Sequence, residues 1–328
     1  MKSASSLAND DLEKVRLGNT GLTVTPIGFG AASLGDMPKT YGYRVDAARA
    51  AATINAIFEG PVNFLDVSRG FWSGRSEERI GAVIRERGLP AGFVISTKID
   101  REAASGSFDA ARTRRSIEAS LAALGLARID LLFINEPPPS RTLDEARTSA
   151  LGELFRLKEE GLAKALGLAV GNVDVAFPLL QDWSFDALMT HNRFTLVNRN
   201  AEALIDYAAK RGVAVINAAP YAGGVLAKGA SAFRRYVYQE AAEAALAPVR
   251  RIEEVCVRNG VPPGAAALQY SLRDKRIAMT VCGISRPERV AETLAWARFP
   301  IADAVWKELA ALPFATDDPE ATRAFLSA

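Results

Sequence analysis

An alternation repeated eight times constrains this chain more than any other feature. Short apolar runs (GFGAA, FLDV, FVISTK, DLLFIN, ALGLAV, DALMTH, VAVINA and AMTVCG) give way each time to stretches with helical spacing, such as ARTRRSIEASLAALG and LDEARTSALGELFRLKEEG. Strands separated by helices pair in parallel, and runs that are apolar on both faces need helices over them. Eight such units in about 300 residues fit a closed single (β/α)8 barrel better than an open doubly wound sheet. GFGAASLG lacks the third glycine of a dinucleotide-binding fingerprint, which disfavours a Rossmann half. Gly125, Gly161, Gly212 and Gly260 stand where helix C-termini are expected. Ahead of the first unit, VRLGNTGLTV reads as a β-hairpin turning at Asn19, Thr20 and Gly21. Residues 1–14 are polar and expected to be loose, and 15–328 are expected to form one barrel domain.

Composition narrows the partners. Forty Lys and Arg against 38 Asp and Glu leave a net charge of +2, without a basic block or a basic helix face. A nucleic-acid or membrane-surface partner is therefore not expected, and a small-molecule substrate is. No apolar run approaches the roughly 18 to 20 residues of a membrane span, and MKSASSLANDDLEK has no apolar signal core, so the expectation is a cytoplasmic protein. Oligomeric state is left open. Cys256 and Cys282 lie far apart, without a C-x-x-C or a neighbouring histidine, and read as small core residues rather than metal ligands.

Active sites of such barrels sit at the C-terminal ends of the strands. Asp66, Lys98, Asn135, His191 and Asn192 all fall there. Asp66 and Lys98 end neighbouring runs. A carboxylate and an ammonium at a barrel mouth cost desolvation unless they pair, and such a pair can hold the lysine charged or tune it for proton transfer.

At these residues the chain resembles the aldo-keto reductases, NADPH-using barrels that reduce aldehydes and ketones. The likeness runs through RLGNTGLTVTPIGFGAASLG, NFLDVSRGFWSGRSEERIG, FVISTKI, DLLFINEP, GVPPGAAALQYSL and CGISRPERVAETL, and in texture it is nearest to bacterial members acting on free sugars and pyridoxal. Such enzymes use an aspartate and a lysine to tune a tyrosine, with a histidine orienting the carbonyl. Asp66 and Lys98 match the first two. Phe71 stands at the tyrosine position and Asn135 at the histidine position. A phenyl ring gives no proton, whereas an amide still donates a hydrogen bond to a carbonyl oxygen. Lys98, no longer spent on a phenol, could face the substrate as electrostatic stabiliser or as the acid itself, and Tyr41, Tyr43, Arg69 and His191 are further candidates to replace the lost donor, Tyr43 ahead of Tyr41. Arg69, Phe71 and Trp72 are expected at the substrate mouth.

The resemblance also implies an NADP(H) site. His191 and Asn192 would contact the nicotinamide amide, and Tyr221 would stack on the ring. Gly223, Gly224 and Leu226 would lie in the loop that lets backbone approach the pyrophosphate. Gly283, Ser285, Arg286 and Arg289 would hold the 2′-phosphate at a helix start, with Glu292 on the adenine amine. The expected function is an NADP(H)-dependent oxidoreductase on a sugar-like or other polar carbonyl or alcohol substrate, with an atypical site. The alternatives are a redox-neutral lyase, dehydratase or isomerase using the same mouth, and a non-catalytic cofactor-binding protein.

Overall fold

The computed structural model describes residues 12–69, 75–102, 108–135, 149–321 and 323. Most of the expected loose segment, residues 1–11, lies outside them. β1 (Val15–Arg16) and β2 (Thr23–Val24) form the N-terminal hairpin, with Val15 opposite Val24.

All eight apolar runs become strands: β3 (Ile27–Gly30), β4 (Phe64–Asp66), β5 (Val94–Ile99), β6 (Ile129–Asn135), β7 (Ala163–Ala169), β8 (Ala187–His191), β9 (Ala214–Ala218) and β12 (Ile277–Gly283). They pair in parallel in chain order, and the barrel closes where β12 meets β3, with Gly283 opposite Gly30. Helices cover the outside. Those that matter below are α1 (Ala47–Glu59), α2 (Arg75–Arg87), α3 (Ala110–Leu124), α4 (Pro263–Leu272), α5 (Glu288–Arg298) and α6 (Asp303–Ala310). Their limits follow local chemistry. The Asp109 side chain accepts from Arg112 N to start α3, and Gly125 ends it at φ 71°, where a Cβ would be strained.

Strand alternation divides the apolar residues into two sets. β5 sends Ile95 and Ile99 out to the helices and turns Val94 inward, which puts Ser96 and Lys98 on the inward side as well. The interior is filled by Phe64, Leu131, Phe133, Met189, Ile216 and Met279, and the hairpin adds Leu17, Leu22 and Val24 as a plug under the barrel. Each buried side chain of this size contributes about 1.5–3 kcal/mol. Room for Phe133 comes from Gly167, where a Cβ would lie 2.3 Å from its ring. Cys256 and Cys282 are buried. Burial pushes the thiols up to about 11 and about 12, which makes them packing groups rather than nucleophiles.

One element was not expected from sequence. β10 (Arg235–Tyr236) and β11 (Gln239–Glu240) form a second hairpin in the loop after β9. Its turn puts Val237 and Tyr238 at φ 42° and 70°, a conformation normally left to Gly or Asn. Arg235 holds it, with Nη2 donating to the carbonyls of Tyr238 (2.6 Å), Lys39 (3.1 Å) and Thr40 (3.2 Å), and so ties the hairpin tip to the loop after β3. No helix among the described residues is long and apolar enough to cross a membrane.

Candidate active site

Asp66 and Lys98 meet at the C-terminal ends of β4 and β5, with side chains 12% and 6% exposed. Lys98 Nζ donates to Asp66 Oδ1 (2.6 Å) and Oδ2 (2.5 Å) and to the Val67 carbonyl (3.1 Å). Ser96 Oγ donates to Asp66 Oδ1 at 2.7 Å. An ammonium has three protons, and here three acceptors surround it. The charge is thus fixed in place, and a substrate oxygen can reach it only by replacing one of these partners. The Phe133 ring lies beneath, its centroid 5.8 Å from Nζ.

Above this pair a second carboxylate gathers the β6 end. Asp100 accepts from Asn135 Nδ2 through Oδ1, and from Ser68 Oγ through Oδ2 at 2.7 Å. Asn135 therefore has one amide proton engaged within the chain. Arg69 is turned toward the outer layer, where Nη1 meets Glu77 Oε2 of α2 (3.4 Å) and the Ala119 carbonyl of α3 (3.5 Å). Burial raises the pKa of Glu77, and hydrogen bonds from Thr97 and Ser120 together with the Arg69 charge oppose that rise. The guanidinium thus supports a buried carboxylate at a helix–helix contact, rather than standing free at the substrate mouth. Phe71 and Trp72 lie outside the described residues.

On the far side of the mouth, the chain end folds back onto β8. Glu320 is 7% exposed. Its Oε1 lies 3.2 Å from His191 Nε2 and accepts from Asn192 Nδ2 (2.8 Å) and Arg193 Nη1 (3.2 Å), while its Oε2 accepts from Arg323. Burial opposes the charge on Glu320. Even so, His191, Arg323 and Arg193 hold the carboxyl well below the usual carboxylate range. Arg193 Nη2 also donates to Asp318 at 2.6 Å. The Tyr238 ring sits 4.8 Å from the Arg323 guanidinium and 5.6 Å, edge-on, from Tyr41. Burial and the nearby Glu320 carboxylate push the Tyr238 hydroxyl up to about 12. Burial and the flanking tyrosines push Tyr41 well above its ordinary value. Both phenols are thereby weaker acids, the reverse of what a proton donor needs.

Tyr43 faces a cationic cluster. Lys228 Nζ lies 4.5 Å from the Tyr43 ring centroid and 3.8 Å from that of Phe233. Partial burial, then the charges of Arg289, Arg286 and Arg235, lower Lys228 to about 8. Four cations this close favour an anion among them. Arg286 and Arg289 reach Glu292 Oε2 at 3.4 and 2.8 Å, at the start of α5 beyond Gly283 and Ser285. The Tyr221 ring is 4% exposed and packs edge-on against Trp296, at 5.7 Å. Leu226 is fully buried. Gly223 makes its close approach to the chain's own hairpin, since a Cβ there would lie 2.7 Å from Tyr238 N. Gly224 follows at φ 111°.

The aldo/keto reductase family model matches residues 26–313, the whole barrel. The chain belongs to the aldo/keto reductase family. This aldo/keto reductase is an oxidoreductase of a family that uses nicotinamide cofactors. It is 27% identical to a pyridoxal 4-dehydrogenase of Microbacterium luteolum over 90% of this chain and 96% of that protein. It is 29% identical to an L-galactose dehydrogenase of Arabidopsis thaliana over 87% and 88% of the two chains. In fold it matches a holo aldo-keto reductase from Bacillus halodurans with a TM-score of 0.75 at 20% identity, over 95% of this chain and all of that one.

The residues present fit such a cofactor on two observations of this structure. Lys228, Arg235, Arg286 and Arg289 gather four cations, of which Arg286 and Arg289 share the Glu292 carboxylate and Arg286 also lies 4.0 Å from Glu288, and Asn192 Oδ1 is buried without a hydrogen-bond partner among the described residues. Sequence reading missed Ser68, Asp100, Arg193, Lys228, Arg235, Tyr238 and Glu320. Only Lys228, just after the glycine-rich loop, carried a local signal. Glu320 sits in the polar stretch DDPEATR, whose composition is that of a solvated tail.

Proposed function

We propose that this aldo/keto reductase is an NADP(H)-dependent oxidoreductase for a sugar-like or other polar carbonyl or alcohol substrate, working without the family's phenol. The buried Asp66–Lys98 pair carries this reading. Charge held there costs desolvation, and a hydrophobic pair of similar volume would serve stability as well. Relatives named pyridoxal 4-dehydrogenase, D-threo-aldose 1-dehydrogenase and L-galactose dehydrogenase support a polar substrate. Preference for NADP(H) rests on the Lys228, Arg235, Arg286 and Arg289 cluster, whose guanidinium groups are suited to bidentate pairing with a phosphate.

The nicotinamide, when bound, supplies or accepts the hydride. Lys98 stabilises the charge on the substrate oxygen, which exchanges for the Val67 carbonyl, the longest of its three contacts at 3.1 Å. Asn135 offers its second amide proton to the same oxygen, oriented by Asp100. Phe71 gives no proton. We assign that role to His191, held from behind by Glu320. A redox-neutral isomerase or lyase reading has one observation in its favour: Asp100 gives the mouth a second carboxylate able to take a proton from carbon next to a carbonyl.

The test is to incubate purified protein with NADP⁺ or NADPH and a panel of aldoses and pyridoxal. Nucleotide reduction or oxidation with at least one of them is expected, and Phe71→Tyr should raise turnover of simple aldehydes. Sugar conversion without net nucleotide change would replace the first reading with the redox-neutral one. Nucleotide binding with no conversion at all would leave a cofactor-binding protein.

A further inference from the structure

Away from the mouth, the segment after β8 (Leu196, Arg199), the end of α4 (Tyr270, Arg273) and α6 (Trp306, Leu309) line a cavity of about 250 Å³. Leu196 and Leu309 belong to the outer apolar layer, not to the barrel interior. The charge of the cavity is one-sided. Two guanidinium groups line it, and neither pairs with a carboxylate among the described residues. Asp274, the carboxylate of the same wall, is taken by Arg276, whose Nε donates to Oδ1 (3.0 Å) and Nη2 to Oδ2 (2.6 Å); those bonds hold its pKa down. Arg199 and Arg273 lie on aromatic rings instead. The Arg199 Cζ is 3.7 Å from the Phe314 centroid and 5.5 Å from that of Tyr270, whose hydroxyl accepts from it, and the Arg273 Cζ is 4.6 Å from the Trp306 centroid. A guanidinium stacked by its face keeps its N–H groups in plane at the edge, the geometry that pairs with a carboxylate. Arg199 Nε and Trp306 Nε1 are shut in without a partner among the described residues, so the wall carries more donors than acceptors.

We infer that this cavity is a second ligand site, for a monocarboxylate that carries one apolar ring. The carboxylate takes the edges of Arg273 and Arg199, and the ring lies among Leu196, Leu309 and Trp306. Volume sets the size: a cavity of about 150 Å³ holds a benzene ring, so this one has room for a ring and a short acid arm. Charge sets the head group, because Arg276 already neutralises Asp274 and the other two cations have no acid of their own. Apolar walls with a few orienting polar groups are the usual plan of a small-molecule pocket, and a bare inorganic anion would leave those walls uncovered. The inference is independent of the cofactor reading, since none of these residues belongs to the candidate active site.

The experiment measures dissociation constants of the full chain for 3-phenylpropionate, its uncharged amide and propionate, by calorimetry or ligand-observed NMR at low salt. The wild-type chain should bind the aromatic acid about tenfold more tightly than either of the others, the value of one charge-assisted pair or of one buried ring. Arg273→Met keeps a stem against Trp306 but removes the fork. It should weaken the acid about tenfold and leave the amide within about twofold. Arg273→Lys, which keeps the charge without the fork, should fall between the two. Arg273 is exposed, so both variants should keep the wild-type melting temperature. Equal binding of acid and amide by the wild-type chain would overturn the inference, as would propionate binding as well as the aromatic acid. An acid affinity unchanged in Arg273→Met would place the ligand elsewhere, the mouth included, and overturn it too. So would failure of the wild-type chain to bind the acid at about 10 mM, a concentration that detects even very weak sites.

Discussion

The two ends of this barrel are built on opposite terms. At the bottom, Leu17, Leu22 and Val24 of the hairpin close over Val94, Leu131 and Ala187, and both the packing and the backbone are ordinary. At the top, buried carboxylates and cations face one another, as in Asp66 with Lys98 and Glu320 with Arg193. There also lie Asn192, Ala219, Ala222, Val237 and Tyr238, all non-glycine residues at positive φ. Each such residue costs on the order of 1 kcal/mol or more, and each buried pair spends desolvation that apolar packing would have avoided. The contrast shows where the chain gains stability and where it gives some up to hold polar atoms in fixed positions.

The sharpest way to break this contrast is Lys98→Met. If the mouth is built for chemistry, turnover should fall by at least about a hundredfold. Stability should fall by about 3–5 kcal/mol, because Asp66 is left buried and unpaired. The double variant Asp66→Asn, Lys98→Met should recover most of the stability, measured by thermal or urea unfolding, and none of the activity. Recovery of both would mean that the pair is structural. Leu17→Ala tests the other end. It should cost about 2–5 kcal/mol of stability with kcat and KM unchanged at a temperature where the variant is folded, and a fall in kcat would show that the plug reaches the mouth.

The smallest effect sharpens the comparison within the top itself. Lys228 is lowered to about 8, so the free protein loses that charge as pH rises through 8, and an anion bound there favours the charged form. NADPH affinity should fall several-fold between about pH 7 and about pH 9, with proton uptake on binding in that range. The unliganded chain should show the opposite trend. Its lysine is depressed below the unfolded value of 10.5, so the unfolded state binds more protons between about 8 and 10.5, and stability rises with pH through that window. Lys228→Met should flatten both profiles.

How much of this could be seen in advance varied with the distance over which each feature is determined. The eight strands were legible because alternation is a local property, and closure followed from their number. Asp66 and Lys98 were legible as a pair because consecutive parallel strands end side by side. Arg69 was not, since a long side chain leaving a strand end can turn inward or outward, and the buried Glu77 draws it outward. Nor was the Val237–Tyr238 turn, because its residue types argue against the conformation that Arg235 imposes.

Residue order and type thus settle the barrel, its hairpin plug and the charged pair at its open end, because each depends on neighbours in sequence or on adjacent strands. The grip of Glu320 on Asn192, the meeting of Lys228 with Arg235, Arg286 and Arg289, and the acidity of the mouth phenols exist only once the chain has closed. These depend on burial and on charges brought together from distant segments, and neither has a period or a motif to be read along the chain.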